Sequence, residues 1–416
     1  MPGLNYKELE RILHSGTGSG PAEGCKKVVS IVRKGLETEA IKPENLSLRG
    51  LATVFGVYDP YDTDSVGRAM SQAAGQSRLN SEQNLFHEAN PTVMTNAFQV
   101  LVSELLSTAV IEGHERAEKI TDSLVRVLPV SVKGTKIPGV KSGGGALEVD
   151  EGHPYEETAI EEKWVTTQEF KNGRILSLTE ELIVQDQMGL ARMQAMDLGE
   201  AVAESIEIAR INGITDALTA QGRYVYRPSG VGEALYATDG SNYNYIGSGN
   251  TTAGSPYNAA VALQDKTDIT AVLNYRWTQV KDDRVDGTQQ PLGGLNKPSN
   301  ILLVPPTLLM DAFDIVNSTQ FRKVTNTNNT TLSPNEVAGF VGQVLTSPYM
   351  SDASDWYYGD FQRQFIWSEF WPLQTFFQGS DSPSAYEADI AFRIKVRYWG
   401  GMTARDSRYV TKIDGA

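Results

Sequence analysis

The feature that most constrains this chain is a long polar excursion, residues 126–185, with strand character and almost nothing to bury. Residues 126–132 read as a strand and 137–145 as a glycine-rich, mobile tip. Glu148, Asp150, Glu151, Glu156, Glu157, Glu161 and Glu162 then crowd together. Residues 164–167 and 173–179 return as strands with alternating side chains. A two-stranded ribbon so poor in apolar side chains is marginal by itself in water. It is expected to be mobile in a monomer and ordered in an oligomer, where it can lie on another surface.

The remaining segments follow ordinary periodicities. Residues 1–45 read as two short amphipathic helices, with Val28, Val29, Val32 and Leu36 on the buried face of the second. Between them, Gly16, Gly18, Gly20 and Pro21 form a hinge. No apolar strand precedes these glycines and no GK[ST] follows, so a phosphate loop is not supported. Residues 50–90 are irregular and of a length that usually runs over a surface. A helix over 91–112, capped by Asn90 with Pro91 in its first turn, buries Phe98, Val102, Leu105, Leu106 and Val110.

The longest helical pattern spans 188–218. Leu198, Val202, Ile206, Ala209 and Gly213 form one stripe, and Glu200, Glu204 and Glu207 the opposite, solvent-facing one. Its length suggests a rod rather than a packing helix, and Met188, Met193 and Met196 are expected to fill core. Residues 220–265 read as decorated loop. Helix 265–280, strand 300–304, helix 307–316 and strand 343–346 read as a small α/β unit. An aromatic strand over 364–371 is expected to end at Pro372. In 389–399, Ile390, Phe392, Ile394, Val396 and Tyr398 alternate with Ala391, Arg393, Lys395 and Arg397. This half-solvated strand carries the one concentrated basic surface, which reads either as a solvated sheet face or as a surface that could meet the acids of 148–162.

Composition narrows the function classes. With 37 Lys+Arg against 51 Asp+Glu, the net charge of −14 argues against electrostatic affinity for nucleic acid as a driving force. The single cysteine, Cys25, leaves no intrachain disulfide or cysteine-rich zinc site. No run approaches the ~18 apolar residues of a membrane span, and the N-terminus lacks the apolar core of a secretory signal. The four histidines are scattered without HxH or HExxH spacing. Asp59, Asp62 and Asp64 miss a calcium loop, because Val66 and Ala73 hold ligand positions. Glu180 and Glu181, neighbours on a strand, point to opposite faces and cannot act as a glycosidase pair. No catalytic, cofactor or metal constellation is found, and such a chain is shaped for assembly.

EGHPYEE at 151–157, FKNGRILSLTEE at 170–181, DQMGL at 186–190 and DLG at 197–199 resemble the hairpin-into-helix segment of tailed-phage major capsid proteins. WYYGDF at 356–361, WPL at 371–373, DIAFRIKVR at 389–397 and RDSRYVTK at 405–412 are similar to the same family. The resemblance implies an α+β, Hong Kong 97-like phage capsid fold. Residues 1–125 would form the N-terminal arm and helices, 126–182 the extended β-hairpin loop, and 183–219 the spine helix of the peripheral domain. Residues 220–360 would form the axial domain, 361–400 peripheral-domain strands, and 401–416 a return to the axial domain.

Function follows from the same resemblance. The chain would self-assemble through pentamers and hexamers into an icosahedral virion shell enclosing double-stranded DNA. Assembly would take place in the host cytoplasm, with scaffold, portal and decoration proteins as partners, no membrane, no cofactor and no enzymatic activity. Lys141, Glu151, Tyr155, Glu156 and Trp164 would make inter-subunit contacts from the extended loop. Arg393, Lys395 and Arg397 would present the peripheral-domain strand. Arm and loop would become ordered only on docking to a neighbour. Covalent welding of subunits is not carried over, since no acceptor asparagine can be matched to Lys141, Lys163 or Lys171. Alternatives are a bacterial nanocompartment (encapsulin-like) shell protein and, more distantly, a cytoplasmic hydrolase with an unrecognised acidic site.

Overall fold

The computed structural model describes residues 9, 11–12, 20–37, 48–55, 57, 91–140, 149, 162–167, 169–179, 181–182, 189–216, 235–236, 243–248, 250, 257–282, 290–326, 329–379 and 390–415. It divides into two units. One comprises Met1–Glu118, Asn172–Glu204 and Leu373–Tyr398, and the other Lys119–Lys171, Ser205–Pro372 and Trp399–Ala416.

The first unit contains helices α1 (Gly20–Glu37), α2 (Leu48–Val54) and α3 (Pro91–Arg116), and the first part of α4 (Leu190–Thr215). It also contains most of strand β4 (Phe170–Thr179), the end of β11 (Phe365–Gln378) and the beginning of β12 (Ile390–Ala404). Helix α3 begins on a proline, whose missing N–H costs nothing in a first turn, and ends with His114 and Arg116, which suit the negative C-terminal dipole. Its apolar stripe is buried as the spacing requires: Phe98, Val102, Leu105, Leu106 and Val110 are all sealed from solvent. Phe98 lies 6.3 Å from Phe55 and 6.1 Å from Phe392, and Phe377 lies 5.3 Å from Phe392. This ring chain joins helices to sheet in one core.

Three expectations are corrected in this unit. The arm helix α1 does not wait for a neighbouring copy: Val28 and Val32 are buried, and Arg33 pairs with Glu104 of α3. Helix α4 is a packing helix rather than a free rod. A Cβ at Gly199 would collide with the carbonyl oxygen of Val110, and one at Gly113 with that of Met196. These two glycines let the α3 and α4 backbones touch, and no other residue fits. Of the expected methionine stripe, Met193 does not fill core, being 56% exposed, Met196 is half-buried, and Met188 lies outside the described residues.

In the second unit, β5 (Tyr245–Ile246), β6 (Ile301–Val304), β9 (Gln343–Thr346), β10 (Trp356–Gly359) and β13 (Val410–Ile413) form a sheet in the order β5-β13-β10-β6-β9. The inner pairs β13–β10 and β10–β6 are antiparallel, whereas β5–β13 and β6–β9 are parallel. The connection from β6 to β9 carries α6 (Leu309–Asn317) and the hairpin of β7 (Gln320–Asn326) with β8 (Asn329–Pro334). Helix α5 (Lys266–Thr278) starts in a capping box. The Asp265 side chain accepts a first-turn N–H, and Asp268 returns to accept from Asp265 N at 2.7 Å. Ile269, Val272, Leu273 and Tyr275 of α5 meet Leu302, Val304, Trp356 and Tyr358 of the sheet in one buried cluster.

Arg276, also on α5, is 0% exposed. Its Nε donates to Asn296 Oδ1 (3.0 Å). Nη1 donates to Tyr358 O (3.2 Å) and Thr411 Oγ1 (3.0 Å), and Nη2 to Leu295 O (3.2 Å) and Tyr409 O (3.0 Å).

A second sheet runs in the order β1-β11-β12-β4, with β1 (Arg126–Pro129) parallel to β11 over Ile366–Glu369. Pro372 does not end β11. It stands three residues beyond the last β1 pair, where its missing N–H breaks no bond to β1. Trp371 beside it is half-buried, 5.0 Å from Trp399.

Gly199→Ala should force the α3 and α4 backbones apart, at a cost of at least the ~1–3 kcal/mol of an overpacked core. Urea unfolding followed by circular dichroism should show a lowered midpoint, and an unchanged midpoint would mean that the helices can part without loss.

Candidate assembly surface

Three features are candidates for contact between copies: the hairpin, the turn at which its chain begins, and the basic strand. In the hairpin, β2 (Lys136–Val140) pairs antiparallel with β3 (Glu162–Thr166), Ile137 standing opposite Val165. Both are buried and form an apolar cross-strand pair at the base. Polar groups close it. Thr167 N donates to Thr135 O (3.0 Å), and Gly134, in a left-handed turn with φ 75°, donates its N–H to the buried Glu169 carboxylate (3.1 Å). Trp164 stands opposite Pro138 in the ladder. Lys141, Glu151, Tyr155 and Glu156 lie outside the described residues, as do most of the acids expected to meet the basic strand. The third expected strand, β4, joins β12 rather than extending the hairpin.

The turn Thr121–Ser123, just after α3, is held by polar groups. Glu207, only 2% exposed, accepts from Thr121 N (2.9 Å) and from the Thr121 hydroxyl. Arg210, one helical turn further along α4, pairs with Asp122, and its guanidinium lies 5.1 Å from the centre of the Trp367 ring. Gln362, on the single turn α7 (Phe361–Gln364), donates to Ser123 O (3.0 Å). Burial raises the Glu207 pKa, and the Thr121 bonds and Arg210 oppose the rise. Sequence reading placed Glu207 on a solvent face with Glu200 and Glu204. Of the three only Glu204 is fully exposed, because Thr121 gives Glu207 a reason to turn inward. No spacing rule in the sequence signals that partner.

The basic strand matches its expected alternation apart from Ala391, which is buried. Lys395 is exposed, and Arg393 and Arg397 are half-buried. Arg397 Nε donates to Gln374 Oε1 (3.1 Å). The Lys395 ammonium and the Arg397 guanidinium lie 4.8 Å and 4.3 Å from the centre of the Phe376 ring. Phe376 remains 41% exposed and Ile175, on β4, 59% exposed. The face is therefore cationic and apolar together, an arrangement that suits an acidic partner with some apolar content. Sequence reading missed Phe376, which lies beyond the proline expected to end its strand.

Against known proteins, residues 161–413 match the family model described as phage capsid protein. The chain belongs to the phage capsid protein family. As a member of that family it is a capsid shell protein, and the match covers β3 to β13 and all of α4, leaving β1 and β2 outside it. No curated protein matches it. Among solved structures it is similar to the capsid of a native GTA particle (11% identity, 71% of this chain and 90% of that one, TM-score 0.44). It is also similar to the capsid of Cyanophage P-SCSP1u (12%, 72% and 89%, TM-score 0.45) and to a virus-like particle from Pyrococcus furiosus (10%, 75% and 99%, TM-score 0.40). Membership rests on the family match. Among the described residues no helix of this capsid protein is long and apolar enough to cross a membrane, and no cluster of three metal-ligating side chains occurs.

Glu207 generates a pH dependence of known sign. Its folded pKa lies above the unfolded value near 4.3, so the folded state holds its proton more tightly. That contribution to stability is full below the unfolded pKa and is lost as pH rises through the folded one. Glu207→Gln should remove it, so the variant should gain stability relative to the parent as pH rises above about 4 in urea titrations. Parallel profiles would show that the carboxyl is not desolvated.

Proposed function

We propose that copies of this chain assemble through pentamers and hexamers into an icosahedral shell around double-stranded phage DNA, within the host cytoplasm. In this reading scaffold and portal proteins, and decoration proteins where present, are its partners. The observation that carries the reading is the capsid family match over residues 161–413. We read residues 126–182 as the extended loop, 183–219 as the spine helix and 220–360 as the axial domain, with 401–416 returning to it. The pairing of β13 within the five-stranded sheet supports that return.

The physics of such a shell is collective. Interfaces of roughly 1,000 Å² or more, each modest, add up around closed symmetric rings. Ordering a long polar loop on a neighbour costs on the order of 1–2 kcal/mol per residue, which restrains contact between isolated pairs and favours the completed ring. With a net charge of −14, the chain would enclose DNA without gripping it. The role is structural rather than catalytic.

Electron microscopy of the purified full-length protein should show closed shells or capsomer rings, and a small soluble species at all concentrations would contradict the reading. Nuclease-protected DNA in native particles is the expected content, whereas enclosed protein without DNA would favour a nanocompartment. Deleting residues 135–165 should leave a folded subunit, with its circular dichroism retained, that forms no stable shell. Normal particles from that variant would remove the hairpin from the assembly mechanism.

A further inference from the structure

The sheet strands of the first unit reverse the sign of the chain. Residues 172–179, 373–378 and 390–398 contain Arg174, Arg393, Lys395 and Arg397 and neither aspartate nor glutamate, in a protein whose net charge is −14. Phe392, Ile394, Val396 and Tyr398 are buried, so the alternation of β12 sends Arg393, Lys395 and Arg397 to its other face. Alternate residues of a strand recur at about 6.7 Å, close to the separation of successive phosphates along an extended single strand of nucleic acid. The strands on either side, β11 and β4, add Phe376 (41% exposed) and Ile175 (59% exposed). Ile175 shares the face because it stands two residues beyond Gly173, where a Cβ would lie 3.1 Å from that of Arg397. Lys395 and Arg397 already lie 4.8 Å and 4.3 Å from the centre of the Phe376 ring, and Gln374 accepts from Arg397 Nε.

We propose that this face of the unassembled chain binds single-stranded nucleic acid, with bases stacked on Phe376 and packed on Ile175 and phosphates paired with Arg393, Lys395 and Arg397. Such binding belongs to the chain itself and stands whether or not shells form. An exposed ring flanked by cations on a sheet face gives an unpaired base a surface to stack on and gives its flanking phosphates their counter-charges. The cations are held against the ring before a ligand arrives, so less freedom is lost on binding. A duplex keeps its bases stacked on one another and offers this face phosphates alone, so enclosed double-stranded DNA gains little from it. The acidity of the whole chain repels polyphosphate from a distance, which keeps the affinity modest and dependent on salt. An acidic peptide also matches the charges. The ring favours the base, because the negative face of an aromatic ring repels a carboxylate.

Fluorescence anisotropy of labelled oligothymidylate with the full-length protein, before assembly, tests the binding against a duplex of equal length. Single strands should bind roughly tenfold or more tightly than the duplex at low salt. The logarithm of the binding constant should fall against that of the salt concentration with a slope of about −2, the value for three phosphates of a single strand. Phe376→Leu keeps an apolar side chain but removes the ring, and should weaken binding roughly tenfold with the slope unchanged. Lys395→Gln with Arg397→Gln should reduce the slope to about −0.7. Circular dichroism should show both variants folded. Absence of binding at low salt, equal binding of the duplex, or unaltered affinity in Phe376→Leu would overturn the proposal. Polyglutamate binding as tightly as the oligonucleotide would also overturn it and assign the face to an acidic protein. A chain that binds single strands but never forms particles would leave this proposal standing and remove the shell reading alone.

Discussion

A fully buried guanidinium with no carboxylate on it sets the terms for the second unit. Arg276 has five N–H donors, and five hydrogen bonds take them up, each to a neutral oxygen. Those oxygens come from β10, from the last strand β13 and its approach, and from the 295–296 turn. One side chain of α5 therefore fixes three separate stretches of backbone. Burial pulls its pKa down to about 10, and the nearby Tyr358 and Asp360 act in the opposite sense. The group stays charged at neutral pH because its acceptors replace water one for one. With α5 fixed, the apolar cluster between α5 and the sheet has a single way to close.

The first unit solves a different problem. Its buried guanidinium, Arg192, is paired with Glu112 (2.6 Å), and the unit is held by aromatic contacts and by two helices in backbone contact. Gly113 and Gly199 allow that contact, and Phe98 carries the core from the helices to β12. The arm helix α1 belongs to this core in the single chain, with Val28 and Val32 sealed beneath it. The hairpin is closed at its base by the buried Ile137–Val165 pair together with backbone and carboxylate bonds.

What could be read from the sequence was what periodicity encodes. The buried stripe of α3, the alternation of β12 and the helix–strand order after residue 265 all follow from spacing, because solvent and core impose the period directly. What could not be read depends on a partner distant in sequence. Glu207 turns inward for Thr121, Arg276 for carbonyls more than eighty residues away, and Pro372 passes through a strand because β1 has already ended. Met193 is exposed although methionine at helical spacing usually packs. The basic residues of β12 were legible as a surface, whereas the Phe376 ring that organises them was not.

The central claim is that Arg276, through its full set of hydrogen bonds, holds the second unit together. The direct measurement is urea unfolding of Arg276→Met and Arg276→Lys, paired with hydrogen exchange at the β10 and β13 amides. Each variant strands buried acceptors, so both should lose on the order of 3–5 kcal/mol, with exchange accelerated in β10 and β13 before it is accelerated in α3. A methionine variant as stable as the parent, with unchanged protection in those two strands, would contradict the account.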